Sequence, residues 1–235
     1  MKRSILLIIL FFVFASAVFA KRLPPPEVSP LTKGEFTYSA SYSYTGDWKD
    51  GYDFGMIIIE STGVTKYYYA VPIYSVKLNK NLEYDVQWQF IKSMEFKNDE
   101  IITITNEKEQ VFEFNIKTYE VKCVSHKYDS NVNELYEKKI NIRELINKNQ
   151  KYKYKGTQPS QRKLSKIEDV ITVAENVLFP IYGEEEIKNE MPYNIYKFGN
   201  KWFVCGSLPK GWVGGVFEIV IDAETSQIES VIHEE

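Results

Sequence analysis

Two histidines, two cysteines, one glycine-rich run and one carboxylate triplet are the places where this 235-residue chain could do chemistry. His126 and His233 stand far apart, and neither has a second His or a Cys at metal-ligand spacing. A Ser-His-Asp or Cys-His mechanism would have to use one of them, and no nucleophile motif lies near either. The glycine-rich run is Gly206-Ser-Leu-Pro-Lys-Gly211-Trp-Val-Gly-Gly215. A phosphate cradle needs its lysine directly after the second glycine, with a helix behind it. Here Lys210 precedes Gly211 and strand-forming residues follow, so the run reads as a wide turn between two strands. Glu184-Glu185-Glu186 could pair carboxylates for acid–base work. Like charges in a row more often make a solvated face, and an acidic face suits a basic partner. These residue types supply surfaces rather than reactions, and no cofactor or metal is implied.

The elements that must position them are those of residues 165–235. Ser165-Lys-Ile-Glu168 has the spacing of a capping box. Ile167, Val170, Ile171, Ala174, Val177 and Leu178 then recur on one helical face. Pro180 should stop that helix, since it lacks an N–H and disfavours helical geometry at Phe179. After Gly183, Glu184 to Glu190 reads as one short helical turn. Four strands follow, at 193–198, 202–207, 215–222 and 227–232, joined by Gly199-Asn200 and Glu224-Thr225-Ser226. One amphipathic helix on four antiparallel strands is an α+β layer that can bury a core. Residues 166–235 carry 13 acidic and 5 basic side chains, a net of −8. Trp202 falls in a strand among apolar neighbours and reads as core. Trp212 follows Lys210 in the loop and reads as an exposed contact.

The preceding chain has a different texture. Lys2-Arg3, the apolar run Ile5–Phe14 and Ala20 read as a targeting segment over 1–20, cleaved on export to the periplasm or beyond. Its apolar stretch is too short to span a bilayer. Of 29 Lys and Arg, two leave with it, so 27 face 32 acidic side chains and the net charge becomes −5. Residues 21–34, with Pro24-Pro25-Pro26 and Pro30, read as an extended spacer. Residues 35–130 hold short runs of β-branched and aromatic residues at 36–44, 56–60, 66–71, 86–90, 101–105 and 111–115, with a closing strand at 119–124. Asn98-Asp99 and Asn106-Glu107-Lys108 read as hairpin turns, and the whole reads as an all-β antiparallel domain, a sandwich or small barrel. Residues 131–164 form a basic helix and linker. Nine Lys and Arg between 138 and 163 face the single acidic Glu144. Ile140–Ile146 reads as a short helix, and 150–164 as a solvated linker that could lie against the acidic C-terminal surface. Aromatics there are too few for nucleic acid. Cys123 and Cys205 either pair, tying the two halves together in an oxidising compartment, or pack as two buried thiols.

Leu178-Phe179-Pro180-Ile181-Tyr182-Gly183, then Pro192-Tyr193, then Lys201-Trp202-Phe203-Val204, then Gly206-Ser207-Leu208-Pro209-Lys210-Gly211 and Gly214-Gly215 resemble, in this order, the bacterial immunity proteins of the polymorphic-toxin systems. The resemblance runs from about Ile167 to the C-terminus. It implies a cystatin-like or nuclear-transport-factor-2-like fold, no enzymatic activity, and a protein toxin as partner, with no role for nucleic acid or membrane once the targeting segment is removed. Lys210, Trp212 and Glu184–Glu186 are the contact residues expected under that reading. A different class of function is a secreted carbohydrate- or surface-binding protein, with Tyr42, Tyr44, Trp48, Tyr52, Tyr67–Tyr69 and Trp88 as the reader.

Overall fold

The computed structural model describes residues 24–42, 51–125, 132–139, 152–208, 211 and 214–233. The targeting segment, His126 and Ile140–Ile146 lie outside them. Among the described residues, twelve strands form: β1 (Leu31–Lys33), β2 (Phe36–Tyr42), β3 (Tyr52–Ser61), β4 (Tyr67–Lys77), β5 (Ile91–Phe96), β6 (Ile101–Asn106), β7 (Val111–Asn115), β8 (Val121–Cys123), β9 (Tyr193–Phe198), β10 (Lys201–Cys205), β11 (Phe217–Asp222) and β12 (Ile228–His233). Three α-helices accompany them: α1 (Val132–Lys139), α2 (Ile167–Tyr182) and α3 (Glu184–Asn189).

The strands do not close into the sandwich or barrel expected of residues 35–130. β5 to β8 make a separate antiparallel sheet of four, while β1 to β4 continue into β9 to β12 as one sheet of eight. The seam is parallel and short, Tyr67 opposite Tyr193, Tyr68 opposite Asn194 and Tyr69 opposite Ile195. The free edge of β4 is satisfied by a strand from the far end of the chain, which is why local pattern gave no sign of it. α2 and both sheets share one core that includes Ile57, Ile73, Ile104, Phe114, Leu178 and Val204, none more than 1% exposed.

Local chemistry explains most elements. Asn98 Oδ1 accepts from the N–H of Glu100 and of Ile101, and Asn106 Oδ1 from those of Lys108 and Gln110, so both expected hairpin turns are held by an Asn side chain. Residues 86–90, expected as a strand, instead begin inside a 3-10 turn at Asp85–Gln87 and continue without regular structure to Phe90. The Gln87 amide donates to the carbonyls of Asn79, Leu82 and Glu83, and this side chain takes over the backbone partners that a ladder would have needed. Three residues of the expected spacer, Leu31–Lys33, pair with β2 as β1.

In α2 every residue of the expected apolar face is buried. The capping box does not form. Lys166 occupies the N-cap with no side-chain cap, and the Glu168 carboxylate accepts from the Tyr67 hydroxyl at 3.2 Å instead. Pro180 does not stop the helix either. It sits in the last turn, where its missing N–H removes a single bond, and Gly183 at φ 98° closes the helix by donating to the Phe179 carbonyl.

Residues 152–164 are docked rather than loose. Tyr154 N–H donates to Glu229 O, Val231 N–H to Tyr152 O and Leu164 N–H to Ala223 O. The Gln158 amide meets both backbone groups of Ile228 at 2.8–2.9 Å. Lys163 pairs with Glu224, so the basic segment does lie on an acidic surface, and it covers the edge of β12. Cys123 in β8 and Cys205 in β10 sit in different sheets and are not joined.

Candidate functional site

Tyr182, Pro192, Tyr193, Gly206 and Ser207 come together at one corner, where α3, the Met191–Pro192 turn, the root of the β10–β11 loop and the end of β12 meet. At its centre is Glu190, 6% exposed at the end of α3. Its Oε2 accepts from Phe217 N–H at 2.9 Å, its Oε1 lies 2.7 Å from His233 Nε2, and its carbonyl accepts from Ser207 N–H at 2.8 Å. Gly206 has to be glycine here, because a Cβ would stand 1.9 Å from Glu190 Oε2 and 2.9 Å from its Cβ. Ser207 Oγ donates to the Pro192 carbonyl at 2.6 Å and accepts from Asn194 Nδ2 at 2.8 Å. The Met191–Pro192 bond is cis. The Tyr182 ring lies 4.9 Å from that of His233 at 30°.

Tyr193 forms the wall. It is fully buried, packs edge-on against Phe217 at 5.2 Å, and its hydroxyl donates to Glu175 Oε1 at 3.3 Å. Burial, then the Glu175 charge, raises the Tyr193 phenol far above its ordinary range. Burial also raises the Glu175 carboxyl, against the hydrogen bond from Tyr193. Both Glu190 oxygens are committed to partners, so this carboxylate braces the loop root and has no free oxygen with which to act as a base.

Glu184, Glu185 and Glu186 form the exposed first turn of α3, where the helix dipole favours negative charge. Lys188 pairs with Glu184 and lies 5.6 Å from the Phe179 ring centre. Glu185 and Glu186 have no ion pair among the described residues, so the acidic face stays partly uncompensated.

The remaining motif residues divide by role. Leu178 and Trp202 are core, and Trp202 Nε1 donates to the Leu164 carbonyl at 3.1 Å. Leu208, Gly211 and Gly214 are exposed in the loop and Gly215 is half-buried, with Gly211 at φ 91°. Pro180 is exposed beside the corner. Pro209, Lys210 and Trp212 lie outside the described residues. Sequence reasoning missed Glu190, and it weighed His233 only as a catalytic or metal-ligating residue. Glu190 is hidden at the end of an acidic run, and its partner is 43 residues away.

The aromatics that could have read a sugar do not form one outer platform. Period two along β4 turns Tyr67 and Tyr69 inward, at 2% and 8% exposure, and only Tyr68 outward. Trp88 is half-buried against Tyr42, Tyr84 and Phe90. Tyr44 and Trp48 lie outside the described residues. Among the described residues no group of three or more His, Cys, Asp or Glu could hold a metal ion, and no helix is long and apolar enough to cross a membrane.

A layer of one long helix on four antiparallel strands, with a braced glycine-rich loop at one end, is the class of structure that residues 165–235 define. Residues 170–235 match the family model described as NTF2 fold immunity protein, a match that spans most of α2, all of α3 and β9 to β12. It supports an immunity role in general. No curated protein and no solved structure matches the chain.

Proposed function

We propose that this is an exported immunity protein that binds a cognate toxin and neutralises it by covering the toxin's surface. One observation carries the reading: Tyr182, Pro192, Gly206 and Ser207, four of the residues that resemble the family, meet around Glu190 and His233 at the root of the Gly206–Gly215 loop, beside the exposed acidic turn of α3. A loop held at its base loses less entropy on binding. A partly uncompensated acidic turn favours encounter with a basic partner.

The test uses the cognate toxin as the partner, expected to be a large secreted protein encoded next to this one. Trp212→Ala is expected to weaken binding by about 2 kcal/mol, the size of an aromatic hot spot. Replacing Glu184, Glu185 and Glu186 together with Gln should slow association and flatten its salt dependence. Both variants should melt like the parent. If they do, and binding and toxin protection are unchanged, the contact surface lies elsewhere on the protein.

Export is part of the same proposal, motivated by Lys2-Arg3, the apolar run and Ala20. Intact-mass measurement of protein from the cell envelope should give a chain beginning at Lys21. A soluble chain that retains Met1 to Ala20 would contradict it.

A further inference from the structure

A cavity of about 390 Å³ opens where β4 and β9 part. Their pairing ends at Tyr69 and Ile195, and residues of both strands beyond that point line the space together with α1. The charged groups in the lining are already engaged. Lys197 Nζ lies 5.0 Å from the centre of the Trp202 ring, and Glu137 Oε1 accepts from Gly199 N–H at 2.9 Å. The Trp202 N–H is donated to Leu164.

The Thr118 hydroxyl accepts from Glu120 N–H at 3.4 Å, but six other neutral polar groups of the lining are not engaged. The hydroxyls of Tyr69, Tyr119, Tyr136 and Tyr196 make no hydrogen bond to a described residue, and neither do the Asn133 amide and the Ser165 hydroxyl. Tyr69 and Tyr136 are more than nine-tenths buried, at 8% and 9% exposure. Their rings already pack on others, Tyr69 on Tyr119 at 5.2 Å and Tyr136 on Phe54 at 5.3 Å. Burial raises all four phenols, Tyr136 to about 12, and the neighbouring Tyr136 adds to the rise at Tyr69, as Tyr196 does at Tyr136. Each therefore stays a neutral O–H that both donates and accepts at physiological pH.

We propose that this cavity binds an uncharged, hydroxyl-rich ring, a neutral monosaccharide or cyclic polyol. The space falls within the roughly 300–1,000 Å³ of small-molecule sites. An apolar occupant would leave the hydroxyls of the deeply buried Tyr69 and Tyr136 with neither a partner nor water. A charged occupant would need a counter-ion, and Lys197 and Glu137 are already turned to the Trp202 ring and the Gly199 N–H. A hydroxylated ring satisfies phenols, amide and serine together. The proposal is independent of toxin binding and survives or fails without it.

The experiment is titration calorimetry of the intact protein against neutral hexoses, pentoses and inositol, with sugar acids, amino sugars and indole as the contrasting set. A neutral member should saturate one site. Tyr69→Phe and Tyr136→Phe each remove a hydroxyl and keep the ring, and should weaken binding about three- to tenfold with little change in melting temperature. Asn133→Ala, on the exposed side of α1, serves as the variant least able to disturb folding and should act in the same direction. The proposal is overturned if no neutral polyol binds at millimolar concentration, if charged sugars or indole bind better, or if the variants fold and bind unchanged.

Discussion

Trp202→Ala is expected to cost about 3–5 kcal/mol of folding stability, the range for truncating a large buried aromatic. The side chain is 1% exposed in the middle of β10, beneath Tyr69 at 6.0 Å and Lys197 at 5.0 Å. Its removal leaves a void in the shared core and strips the Leu164 carbonyl of its 3.1 Å donor. Trp202→Phe should fall between the parent and Trp202→Ala, because it fills part of the volume and still lacks the N–H. Urea unfolding followed by circular dichroism measures both. Trp212→Ala is the control, expected to unfold like the parent. A Trp202→Ala loss below about 1 kcal/mol would mean that the seam around β4 and β9 repacks far more freely than a dense core allows.

Gly206→Ala is expected to cost about 1–3 kcal/mol, the usual penalty for forcing atoms into a packed site. The new methyl would meet the Glu190 carboxylate, whose oxygens are fixed by Phe217 and His233 and so have little room to move. Glu190→Ala alone should also destabilise, since it strands the buried Phe217 N–H. Together the two changes should cost clearly less than their sum, because truncating Glu190 relieves the crowding that a methyl at position 206 creates. Thermal melts of the four proteins in this cycle decide it. Strict additivity would show that Gly206 is not held against Glu190 in solution.

Where chemistry was local, the sequence was readable. The α2 face from Ile167 to Leu178 follows from helical spacing alone, and the Asn98 and Asn106 turns follow from what an Asn side chain does to its own backbone. Trp202 as core and the Gly206–Gly215 run as a turn were legible from residue type and order. Pairings made at a distance were not. Nothing near Tyr67–Tyr69 announces Tyr193–Ile195 as a neighbour, so the expected closed β unit came out divided, its first strands in a longer sheet and β5 to β8 in a sheet of their own. The Lys-rich composition of 152–164 suggested a solvated linker, and it took Gln158 meeting Ile228 to show an edge cover. In the site the same division holds. Gly206 and Ser207 stood out by type, while Glu190 and His233 acquire a role only when the fold brings them within 2.7 Å.

The parallel seam also orders events in time. β9–β10 and β11–β12 are hairpin neighbours that close short loops, and β2–β3 and β6–β7 do the same within the first half of the chain. Tyr67 and Tyr193 are 126 positions apart, and the ladder between their strands has only three residue pairs. Loop-closure entropy has to be met before those pairs can contribute, so the two halves of the eight-stranded sheet are expected to gain structure separately and join late. Until they join, the edges of β4 and β9 face solvent, and that interval is when one copy could add its β9 to the β4 of another.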